Sequence, residues 1–204
     1  MLRIFGRTTS SNVQKVLWAC DEMGLPFERI DMAGKYGFTD EYLRLNPNRV
    51  VPTIDDDGYI LWESNAIVRY LASLHGAGTL WPTDARVRGD ADRWMTWQQT
   101  TFWAALQPAF VQLVRTPAER RDAGAIEQAA RRAGELSATM EAVLARTPWM
   151  AGADFTMGDI PLGIAVYRWY ALDIPRPDRP HLRRWYERLA ERPAYRRHVM
   201  IQME

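Results

Sequence analysis

Apolar residues fall in short runs over the first third of the chain and recur at helical spacing over the remainder. "LRIF" and "FERIDM" read as strands. Between them "SNVQKVLWACDEMG" sets Val13, Val16, Leu17 and Cys20 on one helix face, with Gly24 as its stop. "TDEYLRLN" predicts a short helix ending before Pro47. "PTID" and "YILW" form a hairpin turned at Asp57-Gly58, and "SNAIVRYLASLHG" closes the unit as a helix. The order βαβαββα follows, with a right-handed crossover expected between the first two strands.

"GAGTLWPTDA" is rich in turn formers and carries little periodicity, so the chain divides into residues 1–76, a linker at 77–86, and an all-helical unit at 87–204. A long aromatic helix is expected from Val87 to Val114, kinked or broken at Pro108. Ile126, Ala130, Ala133, Leu136, Met140 and Val143 predict the core stripe of the next helix. Thr156 stands three residues before Asp159, a capping box with Asp in place of Glu or Gln, although Pro161 sits awkwardly in the turn that follows. Leu182, Trp185, Tyr186 and Leu189 mark a terminal helix whose arginines form its solvated side.

Composition narrows the class. Nearly half of the 204 residues are apolar, enough for a substantial core, and no uncharged apolar run approaches the ~18 residues of a membrane span. The formal charge of +1 advertises neither nucleic acid nor a membrane surface as partner. The N-terminal apolar stretch is too short for a signal peptide, and the single cysteine excludes an internal disulfide, so the expected location is cytoplasmic. Cys20 lies on the core face of its helix. His75, His181 and His198 show no ligand spacing, and no metal is expected.

Three features carry candidate chemistry. Pro52 interrupts the strand run "VVPTI", leaving the Val51 backbone free on that side; it is either an ordinary edge proline or a cis-proline that presents Val51 to an extended peptide. Glu63 and Ser64 open a helix, where free N–H groups and the helix dipole suit a carboxylate, although Ser64 alone also reads as a plain N-cap. Ser10, Ser11 and Asn12 open the first helix, and three N-cap residues exceed what one helix needs. A hydroxyl there would favour a bound thiolate over its thiol.

Together "SSNVQKVLWACDEMG", "VVPTI", "WESNAI" and "FTMGDIPLG" resemble the cytosolic glutathione S-transferases over nearly the whole chain, and most of all the serine-type phi and theta classes, in a bacterial member. The resemblance implies an α/β plus all-α fold, with a thioredoxin-like N-terminal domain that binds glutathione as co-substrate and a helical domain that supplies a hydrophobic pocket. It further implies Ser10 as donor to the glutathione thiolate, Asn12 as a polar neighbour and Ser11 as the alternative donor. Val51 and the cis-proline Pro52 would hold the cysteinyl part, and Glu63 and Ser64 the γ-glutamyl carboxylate. Lys35 is the available cation for the glycyl end, offset from the family's usual place. Trp103, Phe110, Tyr167 and Trp169 would line the co-substrate pocket, with Arg7 at its mouth. Conjugation of an apolar electrophile by a homodimer is the implied activity. The rival is a non-catalytic relative that carries apolar ligands or serves as an interaction module, a reading the "GKYGF" loop and Val50 favour mildly.

Overall fold

The computed structural model describes residues 1–204. Strand β1 (Leu2–Phe5), helix α1 (Ser11–Glu22), β2 (Phe27–Ile30), α2 (Asp40–Leu45), β3 (Thr53–Asp56), β4 (Tyr59–Trp62) and α3 (Ser64–His75) follow in order. The sheet runs β2-β1-β3-β4, with β1 parallel to β2 and antiparallel to β3, and β3 antiparallel to β4. This is the thioredoxin-like βαβαββα unit. Asp57 and Gly58 both adopt positive φ at the hairpin tip, as a tight turn there requires.

The remaining chain is helical. α4 (Ala85–Trp97) and α5 (Trp103–Phe110) are followed by α6 (Ala123–Leu144), α7 (Asp159–Ala171), α8 (Pro180–Ala190) and α9 (Pro193–His198). Asp84 caps α4, its carboxylate accepting the backbone N–H groups of Arg86 and Val87 at 2.8 and 3.0 Å. Of the kink or break expected at Pro108, the break does not occur: Pro108 lies inside α5. Wide π-helical turns at Gln98–Phe102 and Val111–Arg115 flank α5 and absorb the irregularity, so the helical path continues from residue 85 to 115.

One core runs through both parts of the chain, from Ile4 and Ile54 of the sheet to Trp169, Trp185 and Tyr195. Its pivot is α1, which is buried over eight consecutive residues, Val13 to Cys20. Trp18 packs edge-on to Tyr195 with ring centroids 4.7 Å apart. A Cβ at Gly163 would come within 2.9 Å of Trp18, so only glycine there lets α7 approach α1 this closely. Arg192 grips Glu22 through two bonds of 2.6 and 2.8 Å, and Arg197 reaches Asp21 at 2.6 Å. Those two arginines therefore clamp the helical part onto α1 rather than simply facing solvent. Cys20 is fully buried, which pushes its thiol up to about 12.

The stripe of α6 is rotated from the sequence expectation. Ala130, Ala133, Ser137, Met140 and Leu144 are buried, whereas Ile126, Leu136 and Val143 are only half-buried. Ser137 can enter the seam because its hydroxyl donates to the Gly134 carbonyl at 2.7 Å and accepts from Arg179 at 3.0 Å.

The capping box before α7 is built as its residues suggest. The buried Asp159 carboxylate accepts the N–H groups of Thr156 and Met150 at 3.0 Å and the indole N–H of Trp185 at 2.9 Å. Thr156 Oγ1 in turn accepts the Gly158 N–H at 3.3 Å. Pro161 is harmless at the third helical position, because the first four N–H groups of a helix have no intrahelical partner. Burial raises the Asp159 carboxyl to about 6 against the pull of these donors. Asp159→Ala leaves three N–H donors and the Thr156 hydroxyl without their acceptor in the core and should cost about 3–5 kcal/mol of unfolding free energy, measured by urea denaturation. A loss below about 1 kcal/mol would show that the box contributes little.

Candidate active site

The N-termini of α1 and α3 converge on one cavity of roughly 170 Å³, lined by Ser11, Asn12, Lys15, Glu63, Ser64 and, from the helical part, Gln98, Gln99, Trp103, Ile164 and Ala165. Their approach follows from the packing of α1 against α3, whose buried faces include Val13 and Val16 on one side and Ile67 and Leu71 on the other. Ser64 Oγ sits at the centre: it donates to Asn12 Oδ1 at 3.2 Å and accepts from Lys15 Nζ at 3.3 Å. Ser64 is therefore no plain N-cap; residue Glu63 holds the cap position, with a φ of 74° and no side-chain capping bond. A left-handed backbone at a non-glycine residue costs ~1–3 kcal/mol, and here it lies at the lip of the cavity.

Ser10 occupies the N-cap of α1 and its hydroxyl makes no capping bond, so it is available to a ligand. Ser11 is the neighbour that lines the cavity itself. The Val51-Pro52 bond is cis, and neither the N–H nor the carbonyl of Val51 bonds to another backbone group. The carbonyl of Val50 is instead held by Asn46 Nδ2 at 3.1 Å and by the Tyr42 hydroxyl.

Lys15 and Gln14 are the polar residues that the sequence pattern passes over. Lys15 is only 3 % exposed, and burial pushes its ammonium down to about 7, with Arg168 and Arg69 adding repulsion and Glu63 opposing. Gln14 ties α1 to the helical part by accepting from Arg168 Nη1 at 3.0 Å, while its own Nε2 donates to the Thr8 carbonyl at 3.0 Å. The signal was present: the run Val16, Leu17, Trp18, Ala19, Cys20 has no polar face, so α1 is enclosed all round and its neighbours one turn back share that burial.

The remaining expected residues divide. Trp103 lines the cavity and packs on Phe110 with ring centroids 5.4 Å apart. Phe110 itself is 2 % exposed and forms the floor beneath Arg115 and Arg168 rather than an open wall. Trp169 is fully buried against Phe102 and lines no cavity, a correction whose cause is helical: residues two apart on α7 point to different sides, so Tyr167 and Trp169 do not face one pocket. Tyr167 is half-buried and donates to the Ile201 carbonyl at 2.9 Å. Arg7 is half-buried at the loop after β1, beside this group. Lys35 is exposed on a single 3₁₀ turn, its ammonium 5.1 Å from the Tyr36 ring centre, and the structure does not bring it to the cavity.

A larger groove, roughly 670 Å³, runs between α6 and the segment Pro175–Arg179. Its arginines Arg176 and Arg179 direct their hydrogen bonds to the chain's own carbonyls and to Ser137, and no buried polar group points into it. No three His, Cys, Asp or Glu side chains are grouped to hold a metal, and no helix is long and apolar enough to cross a membrane.

Two joined helix N-termini on a thioredoxin-like unit, facing an all-helical unit, define the glutathione-transferase class. Family models for the glutathione S-transferase N-terminal domain and C-terminal domain match residues 9–74 and 102–193. The chain is 40% identical over 205 residues to "Glutathione S-transferase GstB" of Escherichia coli strain K12, covering 98% of this chain and 99% of that protein. It is 32% identical to "Glutathione S-transferase 3" of Zea mays, over 97% of this chain and 93% of the relative. Among solved structures, the theta class glutathione S-transferase of Xanthomonas axonopodis pv. citri with glutathione bound superposes with a TM-score of 0.95 at 45% identity, over 100% of this chain and 99% of that one. The chain belongs to the glutathione S-transferase family.

The buried lysine has a measurable consequence. Its folded-state pKa, about 7, lies below the usual 10.5, so the unfolded chain holds the proton more firmly. Between those two values the unfolded state binds more protons, and stability climbs as pH rises, by up to about 5 kcal/mol. Lys15→Met should abolish that climb and add most stability at pH 7 and below, seen in denaturant titrations at pH 6, 7.5 and 9. Parallel wild-type and variant curves would rule out a buried, perturbed lysine.

Proposed function

We propose that this enzyme binds glutathione across the N-termini of α1 and α3 and transfers its thiolate to an apolar electrophile. The observation that carries the reading is the convergence of two helix N-termini and a buried cation, Lys15, on one small cavity beside an uncapped Ser10 hydroxyl. The bound glutathione named for the Xanthomonas structure, at 45% identity, supports it.

In this reading the γ-glutamyl carboxylate lies at Ser64 and Glu63, with Lys15 supplying the positive charge that the sequence alone did not suggest. The free N–H and carbonyl of Val51, beside Pro52, pair with the cysteinyl backbone as a short added strand would. The Ser10 hydroxyl donates to the sulfur, with Ser11 the alternative donor and Asn12 fixing the orientation of Ser64. Lys35 reaches the glycyl end only if its turn swings inward.

A hydrogen bond to a charged group contributes ~1.5–3 kcal/mol and the helix dipole typically ~0.3–1. The hydroxyl therefore dominates, and together they suffice to depress a thiol by about two pKa units, ~2.7 kcal/mol. The thiol proton passes to solvent, and the sulfur attacks the electrophile held against Trp103. The serine forms no covalent bond; proximity and thiolate stabilisation supply the rate. Ser10→Ala should move the acidic limb of the pH–rate profile upward by one to two units and lower turnover at neutral pH roughly 10–100-fold, while glutathione binding survives. An unchanged profile, with activity lost instead in Ser11→Ala, would transfer the role to Ser11.

We further propose a homodimer. The aromatic helix does not supply the surface, since Trp94, Phe102 and Phe110 are buried within the chain's own core. Of the seven exposed large apolar side chains six belong to the first unit, among them Val50, Tyr59, Trp62 and Leu74, and only Met200 to the helical unit. An isologous interface repeats each contact twice. Sedimentation should give about twice the 23.5 kDa chain mass at micromolar concentration, and Trp62→Glu should shift it toward the monomer. A wild-type monomer at high micromolar concentration would refute the dimer.

A further inference from the structure

Three arginines from distant parts of the chain meet beside the proposed thiolate position. Arg7 comes from the loop before α1, Arg115 from the wide turn after α5, and Arg168 from α7. The Arg115 and Arg168 guanidinium carbons lie 5.1 and 5.7 Å from the centre of the Phe110 ring, so one aromatic floor carries both. Arg168 is 2 % exposed and bonds only neutral groups, Gln14 and the Thr9 carbonyl. The Nε atoms of Arg7 and Arg168 are buried with no partner. The arginines lower one another's proton affinity: Arg7 does so for Arg115, and both do so for Arg168, in each case after burial as the main cause.

One residue answers part of this charge. Glu204 accepts from Arg7 Nη1 at 3.2 Å and from the Thr9 hydroxyl at 2.9 Å, and its main-chain oxygen accepts from Arg115 Nε at 3.3 Å and Nη2 at 3.1 Å. The Glu204 side chain is nevertheless 58% exposed, whereas the Arg7 side chain it pairs with is 20% exposed. The cationic half of the pair is thus built into the protein, and the anionic half lies over it from solvent. Arg7 is held from behind as well: a Cβ on Gly34 would approach its side chain to 2.9 Å.

We propose that Arg7, Arg115 and Thr9 form a subsite for a carboxylate carried by the electrophilic co-substrate, and that Glu204 fills it as a displaceable plug in the free protein. The inference rests on the proposed place of the thiolate at Ser10. Thr9 and Ser10 are consecutive, with Cα atoms ~3.8 Å apart, so a carboxylate anchored at Thr9 sets an electrophilic carbon a short spacer away within reach of sulfur. The co-substrate class is then an alkylating carboxylic acid, its body against Trp103 and its acid on the arginines that Phe110 supports. The thiolate forms a carbon–sulfur bond as the carbon–halogen bond breaks, and the halide departs with the bonding electrons.

The test uses the full chain and matched pairs: 3- and 4-(bromomethyl)benzoate against the corresponding benzamides, with glutathione and corrected for the uncatalysed rate. Calorimetry on protein saturated with S-methylglutathione then compares 4-methylbenzoate with 4-methylbenzamide. The acids should exceed the amides at least 10-fold in kcat/KM and in affinity. Arg115→Met should reduce both ratios to below about 3-fold, with Arg115→Lys retaining part of the preference. Glu204→Gln should move the opposite way, raising acid affinity severalfold without altering the amide; a tail residue serving only structure would not do this, and this variant decides the matter if Arg115→Met fails to fold. Equal acid and amide binding in the wild type, or an acid preference that survives Arg115→Met, would overturn the subsite. Amides turned over as fast as acids would overturn it while leaving the transferase reading intact. Acid-selective binding without turnover of either compound would sustain the subsite and sink the catalytic reading.

Discussion

The enclosure of α1 on every side is the constraint on which the rest of this molecule depends. Eight consecutive residues of one helix are buried, against the sheet, α3, α7 and α9. A helix in that position cannot slide or roll without opening a core that is continuous through both units, because protein interiors are packed as densely as organic crystals. Its N-terminus is consequently a fixed point in space, and Ser10, Ser11 and Asn12 inherit that fixity. The clamps at the other end, Arg192 on Glu22 and Arg197 on Asp21, hold the helix against the C-terminal segment. The position of a hydroxyl at one end of α1 is thus set by packing and charge along its whole length.

Much of this was legible in the residues. The strands, the hairpin at Asp57-Gly58, the capping box at Thr156 and Asp159, and the helix openings at Ser10 and Ser64 all follow from local rules that need no tertiary information. What the pattern could not place were groups whose environment is made by distant elements. For Lys15 the apolar run that follows it signals enclosure only indirectly, and its burial is made by α3 and the helical unit. The register of α6 came out rotated because Ser137 is counted as polar, yet a serine that bonds its own helix carbonyl packs as a small core residue. Trp169 was misplaced because aromatic residues near a site look alike in sequence whether they line it or support it. Glu204, 195 residues from Thr9, has no local signal at all.

Buried charge separates the parts of this protein that hold the fold from those that await a ligand. Asp159 is fully buried and answered by Met150, Thr156 and Trp185, a network closed within the chain. A satisfied network of that kind rigidifies a core and needs nothing from outside. Lys15 and Arg168 are buried almost as deeply but bond only neutral partners, and Nε of Arg168 has none.

Burying a cation without a counter-charge opposes folding, so such groups persist only where another interaction compensates. Here both flank the start of α1: Lys15 bonds Ser64, and Arg168 bonds Gln14 and the Thr9 carbonyl beside Arg7 and Arg115, which reach Glu204. Glu63 acts on Lys15 from nearby and Glu204 pairs with Arg7, and in the proposed reading a zwitterionic peptide and an organic acid add negative charge at the same two places. In the proposed reading the two ligands share this charge, with the α1 N-cap, Ser10, beside them. A single-ligand carrier has no need of two separate cationic sites flanking one helix terminus, and this arrangement weighs against the non-catalytic alternative more directly than any one residue does.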